Sequence, residues 1–227
     1  MLKRLFFILF CIDVAVEMLA HVFTPIAIGV PNVHFVTKPL IVLLLVAYYW
    51  QSVSVMSKLF LFALLFCWLG DVSLMFDSFN SHFFMAGLGS FLMAHILLIV
   101  FYGKIKNDGE GLNGPQKARA AFPVILMGTG LVTVLYPTLG SLKIPVMIYA
   151  TALTVMVLRA ITRYGFTSSK SFWYVTIGAL FFMISDSLLA INKFLQPIAY
   201  QGIFVMGTYI AAVYFITVGV IAHESGL

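Results

Sequence analysis

Two aspartates stand in surroundings that disfavour a carboxylate. Asp71 lies in the apolar run Leu64–Phe76 (LLFCWLGDVSLMF) and Asp186 in Ala179–Ile191 (ALFFMISDSLLAI). An acid at the centre of a membrane helix costs about 2.5–3.5 kcal/mol on insertion scales, so such a residue marks a functional site by default. Two of them in matching settings offer three roles. One carboxyl can give a proton while the other, ionised, takes one. The pair can also relay protons for coupled transport, or each can hold helices together by pairing with Lys or His.

Further polar groups belong to the same level. Asp13, Glu17 and His21 follow one another at i, i+4 and i+8 and share a helical face. Asp71 precedes Phe76 by five residues and Asp186 precedes Ile191 by five, which puts both about 7.5 Å below the outer ends of their helices at 1.5 Å per residue. Lys38 opens its span from the outer side and is followed by Pro39, which suits a first helical turn. Asn192 and Lys193 close another span at that level. These depths allow an outer-half cluster of Glu17, His21, Lys38, Asp71 and Asp186. His95 reads as an interhelical histidine, and His34, His82 and His223 as interfacial. A metal site of His21, His82 and Asp77 lacks any recognisable ligand spacing.

The elements that must carry these groups are membrane helices. Of 227 residues, 62% are hydrophobic and 9% charged, against roughly 25% charged in a soluble domain. Eight apolar segments are expected to span: Leu5–Phe23, Val36–Trp50 (starting near His34), Leu59–Phe76, His82–Tyr102, Ala120–Tyr136, Leu142–Ala160, Phe172–Ile191 and Tyr200–Ala222. Lys3 and Arg4 before Leu5–Ile12 imitate a secretory signal, but Asp13 and Glu17 interrupt the run, so it reads as an uncleaved first span. Turns are expected at 24–33, with Pro25, Gly29 and Pro31, at Asp77–Ser81 and at Pro137–Ser141. Gly109, Gly111, Gly114 and Pro115 mark Gly103–Arg119 as a flexible loop.

Lys and Arg distribution sets the orientation. With the N-terminus inside, the inner side holds Lys3, Arg4, Lys58, Lys104, Lys106, Lys117, Arg119, Arg159, Arg163 and Lys170, and the outer side only Lys38, Lys143 and Lys193. The expectation is an all-α, polytopic bundle of eight spans forming one domain, 1–227, with both termini cytoplasmic, in the inner (plasma) membrane of a bacterium. Aligning Asp71 with Asp186 also pairs Leu65 with Leu180, Phe66 with Phe181 and Leu74 with Leu189, which suggests parallel halves 1–102 and 120–227.

Several classes are excluded. The net charge of +5 sits in short loops and is a topology signal, not a nucleic-acid surface. Cys11 and Cys67 lie in apolar spans and form no disulfide framework or zinc spacing. Gly87-Leu88-Gly89-Ser90-Phe91 has the wrong spacing for a nucleophile elbow. No P-loop, GxGxxG after a strand, or H-E-x-x-H occurs.

Taken in order, the chain resembles the YhhN family of lysoplasmalogenase-like membrane proteins over nearly its whole length. The landmarks are Lys38-Pro39-Leu40, Gly70-Asp71 with Leu74-Met75, Ala94-His95, Ser185-Asp186-Ser187-Leu188-Leu189-Ala190 with Asn192 and Phe194, and Tyr209 with Ala211-Ala212. It departs at Val213, where the family usually has Gln, and at Leu98, where it often has Tyr. The resemblance implies hydrolysis of the vinyl ether of lysoplasmalogens to a fatty aldehyde and a glycerophospho-base. The expected catalytic pair is Asp71 and Asp186, neither assigned as the acid, with Lys38 on the headgroup phosphate or keeping one carboxylate ionised, Glu17, His95, Asn192 and Tyr209 around the lysophospholipid, and no metal or organic cofactor. Vinyl ether cleavage proceeds through an oxocarbenium ion, which glycosidases handle with two carboxyl groups, one protonated and one ionised. The competing readings are a lipid-binding protein or proton-coupled transporter, and a metal-dependent lipid amidase or esterase.

Overall fold

The computed structural model describes residues 2–23, 33–105 and 109–226. The expected turn with Pro25, Gly29 and Pro31, and the expected inner-side Lys106, lie outside the described residues. Among those residues there are eight α-helices, one short 3₁₀ helix (Gly140–Leu142) and no strand: α1 (Leu2–Phe23), α2 (His34–Trp50), α3 (Lys58–Met75), α4 (Ser81–Lys104), α5 (Gly114–Leu135), α6 (Lys143–Ile161), α7 (Ser169–Phe194) and α8 (Gln201–Glu224). Seven are long and apolar enough to cross a membrane, and α2, with 17 residues, is the shorter one. The chain is a multi-pass membrane protein.

Side-chain caps explain half of the helix starts. Ser57, Asn80 and Ser168 each accept a hydrogen bond from the first turn of α3, α4 and α7, respectively. The expected loop Gly103–Arg119 is shorter than its glycines suggest. Asn113 and Gln116 form a capping box, with Asn113 Oδ1 accepting from Gln116 N at 2.9 Å and Gln116 Oε1 from Asn113 N at 3.0 Å, and Pro115 fits the first turn. Helix α5 therefore begins at Gly114, not Ala120. Pro39, placed in a first turn by the sequence reading, lies inside α2 instead, because the helix already starts at His34. It leaves the Phe35 carbonyl without its helical donor.

The bundle is built on two close helix pairs, α3 with α4 and α7 with α8. Small residues let these backbones approach, as expected where lipid supplies no hydrophobic drive between helices. A Cβ on Gly178 of α7 would stand 2.8 Å from the Ala212 carbonyl of α8, and one on Gly219 of α8 would stand 2.8 Å from Val175 N of α7. On α3, Gly70 is filled by the Phe91 ring of α4, which a Cβ would meet at 2.6 Å. Each pair thus carries one aspartate. Helices α1 and α5 are peripheral, with Leu5, Ile8, Ile12 and Leu19 of α1 and Phe122 and Leu126 of α5 exposed as a lipid-facing surface.

The opposite end of the bundle is locked by polar contacts. Tyr49 donates to Glu224 Oε2 at 2.5 Å and accepts from Ser57 N at 2.9 Å. Arg163, counted with the loop cations, is instead buried. Its Nη2 donates to Ser171 Oγ at 2.7 Å, Ser171 Oγ donates to the Gly219 carbonyl at 2.7 Å, and its guanidinium lies over the Tyr102 ring at 5.4 Å.

Candidate active site

The ends of α1, α3 and α7 and the starts of α2 and α8 enclose a cavity of about 370 Å³. Glu17, His21, Lys38, Asp71 and Asp186, placed at one depth by sequence, all line it, with Asn192 and Tyr209. His34 and Asp77 are on the wall as well.

Each aspartate is held by a tyrosine from another helix. Tyr209 of α8 donates to Asp71 Oδ2 at 2.6 Å, and Tyr149 of α6 donates to Asp186 Oδ2 at 2.6 Å. These phenols leave the second oxygen of each carboxyl available, and a hydrogen bond to an ionised group is the stronger kind. Asp71 is 2% exposed, whereas the Asp186 side chain is 10% exposed and the more reachable of the two. The carboxyls lie within electrostatic range of each other, and Lys38 within range of Asp71. Beside Asp186, Ser185 Oγ donates to the Val205 carbonyl of α8 at 2.9 Å and so fixes the rotation of α7.

Below the carboxyls the floor is aromatic. Phe91, Phe182 and Tyr209 meet edge to face, with centroids 5.6–6.1 Å apart. His95 is not on the cavity wall. It is wholly buried behind Asp186, with Nε2 3.8 Å from Asp186 Oδ2 and its ring against Phe182 at 4.7 Å and Tyr149 at 5.3 Å. Asn192 lines the cavity while its Oδ1 accepts from Ile198 N at 2.9 Å, so it also shapes the link between α7 and α8.

A second, apolar slot of about 50 Å³ runs between α4, α5, α6 and α7. Leu88, Leu131, Leu135, Val146 and Leu153 line it, and it shares Asp186, Leu74, Phe84, Phe91 and Leu189 with the polar cavity. Asp186 therefore stands where a polar space meets an apolar one.

At the mouth, Glu17 is wholly buried. Thr37 donates to its Oε2 at 2.5 Å, and His34 Nδ1 lies 3.0 Å from the same oxygen. The sequence reading placed His34 at an interface and missed Thr37 and Tyr149. A phenol or hydroxyl within an apolar span is the available signal, since a buried polar group needs a partner. His82 is exposed and Asp77 is paired with Lys193 at 2.7 Å, so the set His21, His82 and Asp77 is not brought together. Asp13 Oδ2 is buried with no hydrogen-bond partner among the described residues.

The model of the YhhN family matches residues 33–220. A protein named lysoplasmalogenase from Mycobacterium bovis is 30% identical over 138 residues, 60% of this chain and 50% of that protein. Human lysoplasmalogenase TMEM86B is 28% identical over 134 residues, 59% and 52% of the two chains. Human lysoplasmalogenase TMEM86A is 28% identical over 153 residues, 66% and 59%. The chain spans about half the length of the curated relatives it matches. No solved structure matches it. With 33–220 covering both aspartates and most of the bundle, the chain belongs to the YhhN family.

Proposed function

We propose that this protein is a membrane lysoplasmalogenase, hydrolysing the vinyl ether of a lysoplasmalogen with Asp186 as acid and Asp71 as base. The observation that carries the reading is the position of Asp186 at the junction of the polar cavity and the apolar slot. A lysolipid has the same division. Its glycerophospho-base fits the polar cavity, with Lys38 facing the phosphate as a point charge. The first carbons of its alkenyl chain enter the slot, and the vinyl ether falls at the carboxyls. The names of the relatives support the same substrate class.

The chemistry then follows. Asp186, at the mouth of the slot, gives its proton to the β-carbon of the vinyl ether, and the ether oxygen shares the resulting positive charge as an oxocarbenium ion. The two carboxyls stabilise that charge at short range. Asp71 takes a proton from water as its oxygen adds to the cationic carbon. The hemiacetal so formed collapses: Asp71 returns its proton to the departing glycerol oxygen, the hydroxyl gives its proton to Asp186, and the aldehyde is left with both carboxyls in their starting states. Protons and charge balance across the cycle, and one water is consumed. Tyr149 and Tyr209 hold the carboxyls in place, His95 backs Asp186, and Glu17 shapes the mouth. The exclusion of water by the aromatic floor strengthens each interaction.

The parallel halves belong to the same proposal. The α2–α3–α4 and α6–α7–α8 packing has the same order in both, and each half contributes one aspartate. The Lys and Arg distribution favours a cavity open to the outer face of a plasma membrane.

The test is product analysis with purified protein on a vinyl-ether lysolipid beside its ester and alkyl-ether analogues, in ¹⁸O-labelled water. The expected result is aldehyde from the vinyl ether alone, with no label in the glycerophospho-base. Label in the glycerol product would move the cleaved bond to the other side of the oxygen. Absence of aldehyde from folded protein would favour lipid binding or transport.

A further inference from the structure

The mouth of the cavity holds a cluster that the proton transfers leave unused. Glu17 and His21 are one turn apart on α1, and His34 opens α2. One ligand atom from each lies within 4.8 Å of the other two. His34 Nδ1 is 3.0 Å from Glu17 Oε2, and His21 Nε2 is 3.3 Å from Glu17 Oε1. The two imidazole rings are 4.2 Å apart.

Glu17 Oε1 and His21 Nε2 are buried and 3.3 Å apart, and neither atom has a hydrogen-bond partner beyond this pair among the described residues. Donor atoms bound to zinc at about 2.0–2.1 Å stand about 3.3 Å apart in a tetrahedral site, so a shared cation satisfies both atoms at the spacing observed. The Thr37 hydroxyl, donating to Glu17 Oε2, orients the carboxylate as outer-shell partners of metal ligands do. Two imidazoles and one carboxylate suit a zinc-class ion; calcium and magnesium prefer all-oxygen sets. All three side chains line the cavity, which leaves one side of the cluster open.

We propose that Glu17, His21 and His34 bind a divalent transition-metal ion of the zinc class at the cavity mouth, with one coordination position turned to the cavity. That open position takes a phosphate oxygen of the substrate headgroup, a role that rests on the hydrolase reading above. The ion takes no part in the proton transfers at the aspartates.

The experiment is titration of chelator-stripped, detergent-solubilised full-length protein with cobalt(II), then zinc. Expected are a visible absorption band of four-coordinate cobalt saturating at one ion per chain, bleaching by zinc, and a raised Tm with zinc. His21→Ala and His34→Ala, each folded by circular dichroism, lose the band and the Tm shift, while His82→Ala keeps both. No band and no Tm shift in folded wild-type protein overturns the proposal, as does an unchanged titration in a folded His21→Ala/His34→Ala double variant. Both readouts are taken without substrate. A failed titration therefore leaves the hydrolase reading standing, and a positive titration in protein that releases no aldehyde leaves the metal site standing while removing the hydrolase reading and the phosphate role that rests on it.

Discussion

Tyr209 on α8 donates a 2.6 Å hydrogen bond to Asp71 on α3, across 138 positions of sequence. Tyr149 on α6 makes the matching bond to Asp186 on α7. Each aspartate is thus fixed by a helix outside its own tight pair, so the positions of the two carboxyls depend on the assembly of the whole bundle and not on one hairpin.

Removing either phenol tests whether that fixing matters to turnover. A hydrogen bond to a charged group contributes about 1.5–3 kcal/mol, so Tyr209→Phe and Tyr149→Phe are each expected to lower kcat by roughly 10- to 100-fold with KM little changed. Steady-state aldehyde release checks this. A change confined to KM would make the phenols substrate contacts instead.

Lys38 is expected to act on binding. Lys38→Ala should raise KM for a vinyl-ether lysophospholipid roughly 10- to 100-fold, the loss of one charge-assisted contact. It should leave turnover of the phosphate-free alkenylglycerol unchanged. A fall in kcat on both substrates would assign Lys38 to Asp71 rather than to the phosphate.

The apolar slot should set tail length. Leu131→Phe narrows it at the α5 wall. Displacing about two methylenes at about 0.8 kcal/mol each raises KM roughly tenfold for long-chain substrates and spares short ones. A KM series over chain length measures it, and an equal effect at every length would remove the tail from this slot.

How much of this was legible in the sequence follows from what each signal depends on. Asp71, Asp186, Glu17 and Lys38 stood out because a charge in an apolar run is visible without neighbours, and helical rise alone put them at one depth. The start of α2 at His34 was legible as well. Tyr149 was not, because its role depends on which face α6 turns to α7, and the flanking residues are apolar on every side. His34 and Thr37 were hidden for a related reason, since they meet Glu17 only when α1 packs on α2. His95 was readable as an interhelical histidine, but its place behind Asp186 depended on the packing of α4 against α6. The early start of α5 was encoded in Asn113 and Gln116, yet the surrounding glycines outweighed that cap in a reading by composition.

The most direct test of the central claim is aldehyde release by Asp71→Asn and Asp186→Asn, purified beside the wild-type protein and checked for fold and membrane insertion. Each substitution keeps the shape and removes the proton chemistry. The expected loss is at least about 100-fold in kcat for either variant, the range of a general acid or base. Wild-type turnover in either folded variant would contradict the carboxyl pair as the catalytic machinery.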